Sequence, residues 1–142
     1  MKKEVIIHLH TVIEDNGLEE ASTVKQKGNY FQKNNMDVIA FEEELEGNQL
    51  IKSMITIQPG KVNIKRSGVV SMNQQFLSEK VTENVYSHPH GHIHMETFTK
   101  SIDYQRPVEK QEGHLKVEYT VKLNGQDERN HTLTLKINEE DK

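Results

Sequence analysis

LKVEYTVKL, Leu115 to Leu123, alternates apolar and polar residues without a break. Leu115, Val117, Tyr119, Val121 and Leu123 take every second position, with Lys116, Glu118, Thr120 and Lys122 between them. Successive side chains of a strand point to opposite faces, so this period marks one dry face and one wet face. The same period runs through Val5, Ile7, Leu9 and Ile13 near the start. No stretch carries the period of a long helix. A chain built almost wholly from such strands has to close or stack its sheet to hide the edges.

Outward from this stretch, turn residues divide the chain into short segments. Glu4 to Glu14 reads as a strand, ended by Asp15, Asn16 and Gly17. Glu20 to Lys27 follows, broken at Gly28 and Asn29, and Tyr30 with Phe31 opens a short arm that turns at Asn34 and Asn35. Val38 to Glu44 and Leu50 to Ile57 are the next strands, divided by Gly47 and Asn48 and closed by Pro59 and Gly60. Val62, Ile64 and Arg66 share one face; Val70, Met72, Gln74 and Phe76 share another. Lys80 to Ser87 and His92 to Ile102 flank the turn at Pro89 and Gly91, and Tyr104 to Glu112 reads as a polar connection. Gly113 to Leu123 and Arg129 to Asn138 form a hairpin at Asn124 and Gly125, the pair best suited to the positive φ of a tight turn. Sequential strands with tight turns predict one all-β domain over residues 1–142, a single antiparallel up-and-down barrel. Barrels of about 8–10 strands are either filled by side chains or hold one small ligand.

Composition narrows the function. A chain of 142 residues leaves no room for a separate catalytic domain. Hydrophobic residues make up 33%, which is enough for a shell in which every second residue is apolar. The net charge is −4 and no basic block exists, which argues against a nucleic-acid partner. The acidic runs Glu42 to Glu44 and Glu139 to Asp141 oppose an anionic partner at those places. Cysteine is absent, so disulfides, thiolate metal sites and thiol catalysis are excluded. Lys2 and Lys3 precede no continuous apolar segment or cleavage site, and no apolar run reaches the roughly 20 residues of a membrane span. The expectation is a soluble, cytoplasmic protein with no membrane partner and no cofactor.

Two clusters carry chemistry. HPHGHIH supplies His88, His90, His92 and His94, and HLH supplies His8 and His10. Two histidines at i and i+2 face the same way on a strand and chelate Zn, Cu or Ni if a third ligand stands alongside. Against this, Ile93 and Met95 are the natural inward residues of the first stretch, which turns His92 and His94 to solvent. The second cluster is Arg66 with Gln74, both on apolar faces, joined by Thr97 and Thr99 on the face of Ile93 and Met95. An inward arginine keeps its charge and needs a carboxylate partner or an anionic ligand. With Tyr119, these residues are the candidate lining for a small, partly apolar anionic molecule. The bland alternatives are a buried ion pair or a rim arginine reaching for water. No catalytic motif is present, and the Glu42 and Glu44 pair reads as a solvated face, so the chain leans away from being an enzyme.

RSGVVSMNQQF, Arg66 to Phe76, resembles the YwiB-like family of small bacterial proteins. IEDNG (Ile13 to Gly17), the Tyr86 strand with its Pro89-x-Gly91 turn and FTKSI (Phe98 to Ile102), and the LKVEYTVKLNG hairpin agree with it, so the resemblance covers nearly the whole chain. It implies a closed calycin-type (lipocalin-like) barrel, a bacterial cytoplasmic setting and no assigned function. The family lends no active-site residues. Relatives tend to carry an aromatic residue where this chain has His90, and acidic or apolar residues at His92 and His94, which marks the histidine stretch as local to this chain. The favoured reading is a ligand-binding barrel. The alternatives are an interaction protein with a filled barrel and a histidine-cluster metal binder. Oligomeric state stays open.

Overall fold

A computed structural model describes residues 2–108 and 111–139. Its ten strands are β1 (Lys2–Asp15), β2 (Leu18–Lys33), β3 (Met36–Leu45), β4 (Gln49–Gln58), β5 (Lys61–Gly68), β6 (Met72–Leu77), β7 (Val81–His88), β8 (Gly91–Gln105), β9 (Gly113–Leu123) and β10 (Arg129–Glu139). A single 3-10 turn, Glu46–Asn48, is the only helical element among the described residues. No helix there is long and apolar enough to cross a membrane.

The strands form one sheet in the order β6-β5-β4-β3-β2-β1-β10-β9-β8-β7, with antiparallel ladders throughout. The two ends of this order meet and make a nearly closed barrel. At the seam Ser71 and Ser87 exchange backbone hydrogen bonds of 2.9 and 2.8 Å. Further along, Glu79 N–H donates to the Thr99 carbonyl at 2.8 Å. Between these points no continuous β6–β7 ladder forms among the described residues.

The alternation places the core. Val117, Leu115, Ile7, Leu135 and Ile137 are fully buried on the inward faces of β9, β1 and β10. Their polar neighbours face outward, as the two-residue period requires. At the seam, the Phe76 and Tyr119 rings meet edge-on with centroids 4.7 Å apart. The final hairpin closes with Asn124 and Gly125 at positive φ and Gln126 N–H donating to the Leu123 carbonyl.

Two local expectations change. Gly28 does not end a strand; β2 runs through it, and a Cβ there would lie 2.7 Å from the Ala40 carbonyl oxygen. A missing side chain here permits close backbone approach instead of a turn. Tyr104 and Gln105 belong to β8, which runs past the expected end at Ile102 and carries a bulge earlier, between Thr99 and Ser101. The acidic run at 139–141 lies mostly outside the described residues.

One ladder is shorter than its strand. β2 pairs with β1 from Leu18 to Phe31, yet with β3 only from Gly28 to Lys33. Gln26 Nε2 still reaches the Glu42 carbonyl of β3, whereas residues 18–25 run along an edge with no strand paired on the far side among the described residues.

Candidate functional site

Asp37 is the anomaly of the core. It stands in the apolar stretch MDVIAF, on the same inward face as Ile39 and Phe41, and only 1% of it is exposed. A buried carboxylate needs partners, and four donated hydrogen bonds supply them. Tyr30 OH donates to Oδ2 at 3.2 Å and Tyr104 OH to Oδ2 at 2.5 Å. Arg106 Nε donates to Oδ2 and Nη2 to Oδ1, each at 2.9 Å. The arginine fork is bidentate, the geometry that best matches a carboxylate.

The elements explain the meeting. Tyr30 lies on β2, beside β3, and faces inward opposite Ile39. Tyr104 comes from β8, five places from β3 in the ring, and so reaches Asp37 across the barrel. Arg106 follows β8, and its neighbour Pro107 packs so closely on Gly113 that a Cβ there would lie 2.6 Å from the proline ring. The close approach holds the chain just after β8 against the start of β9. Burial raises both tyrosine hydroxyls above the ordinary tyrosine range, reinforced by the adjacent Asp37. The hydrogen bond to Asp37 likewise raises Arg106. Both tyrosines stay neutral donors and the arginine stays cationic.

Beside the cluster lies a cavity of about 450 Å³. Ile57, Pro59 and Ile102 give it apolar walls; Asp37, Tyr104 and Arg106 give it a polar end. Arg106 is 49% exposed along its side chain, and its Nη1 makes no hydrogen bond among the described residues.

The residues singled out from the sequence fall elsewhere. Gln74 Nε2 donates to Thr97 Oγ1 at 2.9 Å inside the barrel. Thr99 is fully buried beside Tyr119, its register partner, and its Oγ1 has no hydrogen-bond partner. Gln74, Thr97, Thr99 and Tyr119 thus gather on the seam side of the interior. Arg66 stands apart, toward the opposite mouth from Asp37, where Nη2 lies 3.9 Å from Glu43 Oε1. It lines none of the three cavities described here.

His92 and His94 face solvent, with His92 Nδ1 against Ser87 Oγ at 2.8 Å. His88 and His90 sit at the turn, where the His88 ring accepts the His90 N–H. Among the described residues no three His, Cys, Asp or Glu side chains are grouped to hold a metal. His8 and His10 line a separate outer groove of about 370 Å³ with Lys136. A further groove of about 600 Å³ lies on the outer face of β2 to β5, floored by Ala40 and Met54 and flanked by Lys52, Lys65 and Glu42.

Asp37, whose signal is its phase with Ile39 and Phe41, and Tyr104, which reads as part of a polar connection, were both missed from the sequence. Arg106 gave no signal, because it follows a strand and belongs to no period.

The comparisons agree with this architecture. The family profile described as a domain of unknown function, DUF1934, matches residues 7–135. The chain is 30% identical over 137 residues to the "Uncharacterized beta-barrel protein YwiB" of Bacillus subtilis (strain 168), covering 95% of this chain and 94% of that protein. The crystal structure of the ywiB protein from Bacillus subtilis superposes with a TM-score of 0.85 at 26% identity, covering 99% of this chain and 94% of that one. Profile, relative and barrel coincide over nearly the full length, and the chain belongs to the DUF1934 family, the family of YwiB.

Proposed function

We propose that the protein is a binding module for a small, partly apolar molecule with a carboxylate or phosphate head group, held at the Asp37 mouth of the barrel. The observation that carries this reading is the Arg106 fork. Nε and Nη2 are fixed on a buried carboxylate, while Nη1 remains for an oxyanion at the cavity. An arginine held in place loses little freedom when a ligand arrives, which favours affinity. Ile57, Pro59 and Ile102 suit an apolar tail. The head-group role expected of Arg66 passes to Arg106, because Arg66 faces Glu43 toward the other mouth. A cytoplasmic setting, implied by the family resemblance and compatible with the lack of cysteine, belongs to the same proposal.

The filled core favours a second reading. Val5, Ile7, Leu115, Val117, Leu135 and Ile137 are each at most 1% exposed along β1, β9 and β10. In that case the Asp37 cluster is a structural plug and the protein acts through its outer surface.

Thermal shift and calorimetry with octanoate and phenyl phosphate separate the two. The binding reading expects stabilisation of the native protein, weakened in Arg106→Lys and retained in Arg66→Ala. Absence of binding by either probe at millimolar concentration sinks it.

A further inference from the structure

The free edge of β2 is long, regular and oppositely charged at its two ends. Its sequence from Leu18 to Lys25 is LEEASTVK. Residues 18–23 are all exposed, Leu18 at 75%, and the β1 register beneath them runs unbroken. The stretch holds no proline and no bulge to spoil a further ladder. Such an edge offers its outer backbone groups to another strand.

The charge order selects the partner. Glu19 and Glu20 stand at one end and Lys25 at the other, with Ser22 and Thr23 in the middle. Antiparallel pairing with a second copy, about a two-fold axis at Ser22, sets Glu19 of each strand opposite Lys25 of its mate. Opposite charges across an antiparallel pair are favourable, and like charges directly opposite are unfavourable. A parallel arrangement would stack like on like. A two-fold interface uses one patch twice, so the patch must be complementary to itself, and this segment is.

We infer that two copies of this chain dimerise through the β2 edge, residues 18–25, joining two barrels into one continuous sheet. The inference does not depend on the ligand reading, since the edge and the Asp37 mouth involve different residues.

Charge-reversal variants test it. Glu19→Lys with Glu20→Lys makes the edge wholly basic, and Lys25→Glu makes it wholly acidic. These positions are exposed, so circular dichroism should show both variants folded. Sedimentation velocity should give a dimer for the native protein, a monomer for each variant alone and a mixed dimer when the two are combined. Failure of the combined variants to associate would overturn the charge-matched pairing. A native dimer that survives both reversals would place its interface elsewhere and overturn the inference too. A native protein that is monomeric at about 100 μM also overturns it, leaving the edge to a different partner.

Discussion

Replacing Asp37 by alanine would strip one acceptor from four donors. Tyr30, buried with it, would lose the carboxylate that accepts from its hydroxyl, and Arg106 would lose its fork. Orphaned buried polar groups and broken buried pairs are costly, so Asp37→Ala should lose about 2–4 kcal/mol in urea unfolding. Arg66→Ala should lose under about 1 kcal/mol, because its pair with Glu43 is long and partly solvated. Equal losses would mean that the Asp37 cluster is not the tie described. His131 makes a pH prediction. Burial, then the nearby Arg129, lower its pKa from 6.5 to about 4. The unfolded chain takes up this proton at higher pH than the folded one does, so stability falls as pH drops through the window from 6.5 to about 4. The ring is partly exposed, so the loss is on the order of 1–2 kcal/mol. His131→Gln should flatten that part of the stability–pH curve.

Strand β9 carries the register test. Val117 is fully buried, whereas Glu118 faces out and pairs with Lys116 at 3.3 Å. Val117→Asp puts an unpartnered charge in a dry interior and should cost about 3–5 kcal/mol or abolish folding. Glu118→Lys should change stability by only about 0.5 kcal/mol. Similar behaviour of the two would place β9 in the wrong register. At this scale the sequence was most readable, since a period of two decides which residues face the core. The inward Leu115 to Val121 and the outward His92 and His94 followed from alternation alone. Strand ends were less readable. β2 continues past Gly28 because what the glycine avoids, the Ala40 carbonyl, comes from another strand. The site was least readable: Asp37 and Arg106 are 69 residues apart, and only the barrel mouth brings them together.

Across the whole molecule, the covalent and hydrogen-bonded orders of the strands differ at two places. β1 and β10, the first and last strands, are neighbours, with Val5 opposite Glu139 and Lys3 Nζ 3.0 Å from Glu139 Oε1. β6 and β7 are joined by the chain but share no continuous ladder. Every ladder other than β1–β10 links consecutive strands. The two breaks are therefore interchangeable. A circular permutant, linked from β10 to β1 and opened between β6 and β7, would thread the barrel in simple succession from β7 round to β6. Its one distant ladder becomes a local hairpin, contact order falls, and refolding in stopped-flow should be faster than in the parent. The barrel would keep its strands and lose only the short covalent bridge across its seam.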